Sequence, residues 1–477
     1  MICRRIVALS CTASLAAFSI LAFVPATACA TVAANELFSD NAVLQQGIKL
    51  PVWGTADEGE KVSVSIGGQK IETTAAEGHW RVELQPLKAG GPFDLVIEGP
   101  KNKVESKNVL VGEVWIAGGQ SNMEMALNKT ANAADVIAKA ANTKIHLITI
   151  IRRQGAAAPA ADVQGKWAEC DSKSVSGFSA VAYFFGRALQ KQLSVPVGLI
   201  NCNVGGTTAE RWMSKEAFDA EPALKDMPRT QKSKGDFDLY NGMVHPLIPY
   251  GIRGAIWYQG ESNSGQAWYY RTLFPAMIKA WRDDWKQGDF PFLFVQLAPY
   301  KAIVHQPQDS DWAELREAQL LTTLKSPNAA MAVITDVGEE KDIHPKRKQP
   351  VGERLALAAR ALAYGEKIEY SGPIFDSLSI DGRDAVVHFK HVGSGLIVKG
   401  DKLTGFTIAG DDKTFYDADA KIVGDTVVVS SDQVAKPVAV RFGWANFPVV
   451  DLWNKEDLPA SPFRSDDFPG VTQPKGK

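Results

Sequence analysis

The chain has few cysteines, almost no net charge and only one long apolar segment. The first two shortages argue against a cysteine-rich metal site and against a nucleic-acid partner. Five of its 477 residues are cysteine, and only Cys170 and Cys202 lie beyond residue 30. Those two could pair or remain buried thiols, and no spacing of cysteine and histidine is typical of a metal site. The formal net charge of −2 provides no basic surface for a nucleic acid. We therefore expect no metal site and no nucleic-acid partner.

The long apolar segment lies at the amino terminus. Residues 6–24 are mainly apolar, follow two arginines, and lead into small residues that end at Ala30. This pattern predicts a secretory signal peptide over residues 1–30. A membrane anchor would need an uninterrupted span, but Ser10, Thr12 and Ser14 interrupt the segment and no second apolar span follows. We expect the mature protein to be secreted or periplasmic and free of the membrane.

Hydrophobic periodicity divides the remaining chain into three regions. Apolar residues alternate with polar ones at Val62, Val64 and Ile66, which is typical of antiparallel strands, and a similar pattern returns near the carboxyl terminus. Between these regions apolar strands alternate with helical stretches, which predicts a parallel sheet covered by helices. The predicted regions are a β-sandwich-like domain over 31–110, a catalytic α/β domain over 111–368, a β domain over 369–465 and a tail over 466–477.

One serine follows an apolar strand and two glycines. It lies in the stretch Val-Trp-Ile-Ala-Gly-Gly-Gln-Ser-Asn-Met (114–123). An apolar strand runs into two glycines that permit a tight bend, and Ser121 follows at a point where backbone N–H groups can bind an anion. Such a turn presents a nucleophile, although Gly-Gly-Gln-Ser also occurs in ordinary turns and helix N-caps.

Three later blocks share this layout. Apolar strands end in Asn-Cys-Asn-Val-Gly-Gly-Thr-Thr (201–208) and in Trp-Tyr-Gln-Gly-Glu-Ser-Asn (257–263), and a further apolar run precedes Asp-Ile-His-Pro (342–345). Because the carboxyl ends of parallel strands meet at one edge of a sheet, we expect the four blocks to form one site there.

Together these blocks resemble the sialate O-acetylesterase-like family of carbohydrate esterases, within the SGNH hydrolase superfamily. The family shows the same four motifs in the same order, and the resemblance extends from about residue 35 to about residue 465. It implies a flavodoxin-like, three-layer α/β/α domain with a parallel sheet, flanked here by amino-terminal and carboxyl-terminal β regions. It also implies a serine esterase that removes O-acetyl groups from a carbohydrate through an acetyl-enzyme intermediate, without a metal or an organic cofactor.

The resemblance assigns the reacting groups. Ser121 is expected to be the nucleophile and His344 the base, since imidazole titrates near neutral pH. His245 lies in another matching block and is the competing base. Many SGNH hydrolases carry an aspartate three residues before the histidine, but that position here is Lys341. We expect Asp342 to orient the imidazole, with Asp336, Glu339 and Glu340 as competitors.

An oxyanion hole is expected from backbone and side-chain donors. The N–H groups of Ser121 and Gly205 match the family pattern, and the side-chain amide of Asn263 or of Gln259 completes it, a choice that the sequence leaves open.

Four residues are candidates for contact with the O-acetylated carbohydrate: Trp212, Trp257, His245 and Glu261. Tryptophans can stack on sugar faces but more often pack in cores. Glu261 could belong to a glycosidase carboxylate pair, although bracing of its loop is the stronger expectation. An inactive carbohydrate-binding protein and a general short-chain acyl esterase are the competing functions. The oligomeric state, the glycan and the acetylated position stay open.

Overall fold

The computed structural model describes residues 32–151, 155–230, 235–305 and 307–475. The predicted signal peptide, residues 1–30, lies outside the described residues. Within these four ranges, no helix has the length and apolar character that a membrane crossing requires.

The amino-terminal region is built from short strands whose alternate residues are buried. The strands are β1 (Ala33–Ala34), β2 (Val43–Gln45), β3 (Leu50–Thr55), β4 (Lys61–Ile66), β5 (Gln69–Thr74), β6 (His79–Leu84), β7 (Gly90–Glu98) and β8 (Lys103–Gly119). In β4, Val62, Val64 and Ile66 face the core while the residues between them do not. One sheet has the order β1-β3-β6, and β5, β4 and β7 form a second group that reaches β8 through β7.

Strand β8 joins two regions of the fold. Its first half pairs antiparallel with β7, and its second half runs into the central sheet. The predicted boundary between residues 110 and 111 therefore falls inside one continuous strand.

The central sheet surrounds the second half of β8. Its other strands are β9 (Asn142–Thr149), β10 (Ala168–Cys170), β11 (Val197–Asn203), β12 (Gly254–Tyr258), β13 (Phe292–Val295) and β14 (Ala329–Ala332). The order is β10-β9-β11-β8-β12-β13-β14, and every neighbouring pair is parallel except β9 and β10. The predicted α/β class is confirmed, but β8 lies between β11 and β12, whereas the flavodoxin order would place it between β9 and β11.

Helices cover both faces of this sheet. They are α1 (Ser121–Glu124), α2 (Ala133–Ala138), α3 (Ser172–Ser176), α4 (Ala180–Leu193), α5 (Lys215–Asp219), α6 (Ala267–Trp285), α7 (Asp311–Lys325) and α8 (Gln349–Leu362). Trp115 and Ala117 pack in one apolar cluster with α4 and α8, whereas Ile116 and Trp257 belong to the cluster that contains α6 and α7. Successive residues of a strand point to opposite faces, so each central strand serves both layers.

Several connections of the catalytic region are short helical turns. The 3₁₀ segments are Glu36–Phe38, Leu127–Lys129, Ala209–Trp212, Pro222–Leu224, His245–Leu247 and Glu261–Gln266, and Tyr240–Val244 is a π-helical turn.

The carboxyl-terminal region is again β structure and is attached through Arg316 of α7. This buried guanidinium donates to the carbonyl oxygens of Leu297 and Ala298, and also to those of Ala445 and Asn446 in the carboxyl-terminal region. Burial lowers the pKa of Arg316 to about 9. The strands are β15 (Ile374–Asp381), β16 (Asp384–Lys390), β17 (Leu396–Val398), β18 (Phe406–Ala409), β19 (Phe415–Asp417), β20 (Asp419–Val423), β21 (Thr426–Ser430), β22 (Ala439–Phe442), β23 (Leu452–Asn454) and β24 (Phe463–Arg464).

Cys170 and Cys202 are both buried and unpaired. Burial raises the pKa of each thiol to about 12, so neither is a reactive thiolate. The structure therefore favours buried thiols over a disulfide.

Glu113 in β8 anchors the amino-terminal region to the catalytic region. Its side chain is 1% exposed and accepts hydrogen bonds from the guanidinium of Arg253 (2.6 and 3.2 Å), from Gln46 of the amino-terminal region (2.6 Å) and from the Tyr364 hydroxyl (3.0 Å). One carboxylate thus joins segments far apart in sequence.

Glu113→Ala should lower the free energy of unfolding by about 3 kcal/mol, because it leaves a partly buried guanidinium without its partner. Urea denaturation followed by circular dichroism measures this. Glu83→Ala is the matched control, since Glu83 pairs with Lys49 at the surface and its loss should change stability by about 0–1 kcal/mol. Equal effects of the two substitutions would contradict the anchoring role.

Candidate active site

Ser121 follows a turn that only glycine permits. Gly119, the last residue of β8, has φ +134°, and a Cβ there would lie 2.2 Å from the carbonyl oxygen of Tyr258 in β12. The next residue, Gln120, donates its N–H to the same oxygen at 3.0 Å. The chain therefore leaves the sheet against β12, and Ser121 begins α1 at the carboxyl end of β8.

His344 reaches Ser121 from the loop between β14 and α8. Its Nε2 lies 2.8 Å from Ser121 Oγ, so with the ring proton on Nδ1 the hydroxyl donates to Nε2. Burial lowers the pKa of His344; the Asp342 carboxylate opposes this shift, and the Lys348 ammonium adds to it. A lowered pKa keeps the imidazole neutral down to a lower pH, which is the form that can accept the serine proton.

Among the four candidate carboxylates for the histidine, Asp342 is the one beside Nδ1. Its Oδ1 lies 3.6 Å from Nδ1, slightly beyond hydrogen-bond distance, and accepts the backbone N–H of His344 at 2.8 Å. The remaining three have other partners, and these are Arg354 for Asp336, the N–H of Lys346 for Glu339 and the N–H of Ile303 for Glu340. Asp342 can therefore act electrostatically on the ring and through the backbone of its loop.

Two backbone N–H groups lie at the serine, that of Ser121 itself and that of Gly205. The N–H of Ser121 stands in the first turn of α1, where no intrahelical acceptor exists. The N–H of Gly205 donates to the Glu124 carboxylate at 2.7 Å. A Cβ on Gly205 would lie 3.3 Å from Ser121 Cβ, so this loop passes directly beside the serine. The Glu124 carboxylate therefore accepts the hydrogen bond that the sequence predicts Gly205 N–H to donate to an oxyanion.

The two candidate amides differ in what they have left to donate. Gln259 is buried and gives both amide hydrogens to neighbours, to the Thr207 carbonyl oxygen (3.2 Å) and to Asn263 Oδ1 (2.6 Å). The expectation that Gln259 could be the oxyanion donor is therefore wrong, because it has no amide hydrogen left to donate. Asn263 accepts from the N–H of Ala209 at 2.9 Å and donates one hydrogen to Glu210 at 3.1 Å, which leaves its second amide hydrogen.

Three residues that were expected to contact the substrate, Trp212, Trp257 and Glu261, have buried side chains, so this expectation is wrong for them. Trp212 is 0% exposed and Trp257 is 1% exposed, and their rings pack edge to face with centroids 5.7 Å apart. Neither can stack on a sugar. Glu261 is also buried and accepts a 2.5 Å hydrogen bond from Asn122 Nδ2. It braces its loop against the residue after Ser121, as the sequence favours for this residue.

His245 lies away from Ser121. It lines a separate cavity of about 790 Å³ together with Tyr240 and Asp284, and its Nδ1 is 3.3 Å from the Ala160 carbonyl oxygen. The expectation that His245 competes as the base is therefore wrong, and its contact with the substrate stays a prediction. The Ser121 hydroxyl meets His344 instead.

Two residues at the site have no predicted role from the sequence. Asn122 belongs to the serine motif without a function of its own, and Lys348 belongs to none of the four blocks. The Lys348 ammonium donates to Asn122 Oδ1, and Asn122 Nδ2 donates to the Ile343 carbonyl oxygen at 3.0 Å. The only local signal for Lys348 is its place four residues after His344 and just before an amphipathic helix.

The site offers no evident place for a metal ion. Within the described ranges, no group of three or more His, Cys, Asp or Glu residues is arranged to hold one.

Comparison with known proteins gives consistent matches. The family model for carbohydrate esterases described as sialic acid-specific acetylesterase matches residues 111–361. Human sialate O-acetylesterase is 30% identical over 90% of this chain and 91% of its own length, and the rat protein of that name is 30% identical over 71% and 75%. The crystal structure of a carbohydrate acetylesterase from Xanthomonas citri superposes with a TM-score of 0.86 and 41% identity, covering 92% of this chain and 100% of the other.

Asp342→Asn should lower kcat for p-nitrophenyl acetate by about 10- to 100-fold, well below the roughly 10⁴-fold typical of a fully buried aspartate in this position. The reason is that Asp342 is 43% exposed and 3.6 Å from Nδ1. Steady-state kinetics measure the change. Glu340→Gln, in the same loop, is the control and should leave kcat unchanged. Wild-type kcat in Asp342→Asn would contradict an electrostatic role.

Proposed function

The chain belongs to the sialic acid-specific acetylesterase family of carbohydrate esterases, and from that membership we propose that it is a serine esterase that removes O-acetyl groups from a carbohydrate through an acetyl-enzyme intermediate. The observation that carries the proposal is the 2.8 Å contact between Ser121 Oγ and His344 Nε2. A hydroxyl that donates to a neutral imidazole is the pairing from which serine nucleophiles react.

The first half of the reaction follows from that pairing. Ser121 Oγ attacks the carbonyl carbon of the acetyl group while His344 Nε2 takes the hydroxyl proton. The tetrahedral intermediate collapses when Nε2 returns this proton to the sugar oxygen, which leaves as an alcohol. The acetyl group then remains on Ser121 as an ester.

The second half repeats the chemistry with water. His344 Nε2 takes a proton from a water molecule, the resulting hydroxide equivalent attacks the acetyl carbon, and the proton passes to Ser121 Oγ as acetate leaves. Both intermediates carry negative charge on the former carbonyl oxygen. We assign its stabilisation to the N–H groups of Ser121 and Gly205 and to the remaining amide hydrogen of Asn263.

Glu124 affects how that charge is received. Because its carboxylate accepts the Gly205 N–H, the acetyl oxygen must displace it. Glu124 is at the surface of the site, so its carboxylate can be rehydrated once it leaves, and the exchange need not disturb the core.

The substrate class follows the relatives, and the location follows the predicted signal peptide. Two of the relatives are named as sialate O-acetylesterases and one as a carbohydrate acetylesterase, so an O-acetylated carbohydrate is the proposed substrate. The apolar segment that leads to Ala30 supports a location outside the cytoplasm. An inactive binding protein is disfavoured by the retained Ser121–His344 contact, and a general short-chain esterase is distinguished by its tolerance of longer acyl groups.

Ser121→Ala should abolish acetate release, because among the described residues no other hydroxyl lies within hydrogen-bond distance of His344. Acetate is measured from p-nitrophenyl acetate, from O-acetylated sialate and from acetylated plant polysaccharide, with p-nitrophenyl butyrate as a test of acyl length. Ser264→Ala, in the adjacent loop, is the control and should retain wild-type rates. Acetate release by Ser121→Ala would overturn the proposal, and equal rates on butyrate and acetate, with no glycan hydrolysed, would favour the general esterase.

Glu124→Ala should raise kcat/KM for p-nitrophenyl acetate about fivefold, since a competing hydrogen bond to Gly205 worth about 1 kcal/mol is removed. The rates are compared at pH 8, where His344 is neutral in both proteins. Glu353→Ala, a surface carboxylate outside the site, should leave kcat/KM unchanged. A fall in kcat/KM on loss of Glu124 would show that it supports the Gly205 loop instead.

A further inference from the structure

A chain of buried polar side chains lies behind Ser121 and His344. Lys348, 1% exposed, donates from its ammonium to Asn122 Oδ1. Asn122, also buried, donates from Nδ2 to Glu261 Oε1 at 2.5 Å and to the Ile343 carbonyl oxygen at 3.0 Å. Both the oxygen and the nitrogen of this amide are thereby hydrogen-bonded. Their partners come from two segments, the loop that leads into α8 and the turn after β12.

The charges at the two ends fix the orientation of the Asn122 amide. The carbonyl end faces the Lys348 ammonium and the NH₂ end faces the Glu261 carboxylate. Rotation by 180° would place the NH₂ group against the ammonium and the carbonyl oxygen against the carboxylate, and both contacts would become repulsive. The two charges therefore select one orientation, and only this orientation supplies a hydrogen for the Ile343 carbonyl oxygen.

That last hydrogen bond joins the two halves of the site. Asn122 is the residue after Ser121, and Ile343 is the residue before His344. The bond therefore holds the helix that carries the serine against the loop that carries the histidine, next to the 2.8 Å contact between Oγ and Nε2.

We propose that Lys348 is a positioning residue for the Ser121–His344 pair, acting through Asn122 to hold the two segments in register. The inference rests on the proposed roles of Ser121 as nucleophile and His344 as base. It concerns alignment rather than proton transfer, since Lys348 contacts Asn122 and not the reacting atoms.

The electrostatic surroundings set the pH range over which Lys348 carries the charge that this role needs. Burial lowers the pKa of Lys348 to about 7, against the opposing charges of Glu261, Asp342 and Glu339. The Tyr258 ring lies beneath the ammonium at 5.1 Å. Burying a lysine is costly even when it is paired, and apolar residues of similar volume often stabilise such positions. Alignment of the reacting groups accounts for retaining it.

The test is a double-mutant cycle on kcat in the full-length protein. Lys348→Met removes the ammonium at nearly constant length, and Asn122→Ala removes the bridge. Each should lower kcat for p-nitrophenyl acetate by about 10²-fold, the loss typical of a displacement near 1 Å. The double variant should be no slower than Asn122→Ala, because both act through one contact. Lys346→Met, an exposed lysine in the same loop, should retain wild-type kcat.

The pH profile of kcat distinguishes a role that needs the Lys348 charge from a role in packing alone. The groups that act on His344 are Asp342, Lys348 and Glu124. Since the Lys348 charge lowers the pKa of His344, its removal should move the acidic limb of kcat to higher pH. Lys348→Gln, which loses the charge but keeps a donor, should show the same shift and a smaller loss of kcat, and it provides the test if Lys348→Met does not fold.

The outcomes keep the two proposals apart. Labelling of Ser121 by a fluorophosphonate, lost in Ser121→Ala, reports the nucleophile itself. If Ser121→Ala is inactive while folded Lys348 variants keep wild-type kcat and pH profile, the positioning role alone is overturned. Additive losses in the double variant would also overturn it. Activity in Ser121→Ala would instead remove the proposed function on which the inference rests.

Discussion

The close approach of β8 to β12 at Gly119 is the constraint on which the site depends. No side chain fits there, since a Cβ would overlap the Tyr258 carbonyl oxygen, and the positive φ is one that glycine adopts without strain. The bend lets Ser121 leave the sheet where β11 and β12 flank β8. Three further elements of the site follow other strands of the same sheet. Gly205 follows β11 and Asn263 follows β12, the two neighbours of β8, and His344 follows β14 at the edge of the sheet.

Much of the motif sequence forms the framework under the reacting groups. Gln259, Asn263, Glu261 and Asn122 are buried and direct their polar atoms at one another or at backbone groups. A buried polar network of this kind is costly if incomplete and rigid when satisfied. It fixes Asn122, the residue after Ser121, and the loops after β11 and β12, which suits a reaction that needs preorganised donors rather than movable ones.

The sequence predicted the strand-end arrangement and the Ser121–His344 pair because both depend on local patterns, namely glycines after apolar strands and the histidine of the Asp-Ile-His-Pro block. It erred where the side of the sheet decides the outcome. Trp257 is the last residue but one of β12, and its position between Ile256 and Tyr258 points it into the layer of α6. The role of Lys348 could not be predicted because its partner Asn122 is 226 residues away, a distance that no local pattern spans.

The fold also has to bear the cost of this site. Lys348 is a buried charge, and Gly119 is a residue with a large conformational freedom to lose on folding. The surrounding regions supply compensating contacts: the amino-terminal region is fixed through Glu113, and the carboxyl-terminal region through Arg316, whose guanidinium donates to four carbonyl oxygens. These contacts lie outside the reacting groups, so they can stabilise the strands that present Ser121 without altering its chemistry. The flanking β regions are thus attached to the catalytic region, to which all of the groups assigned to the reaction belong.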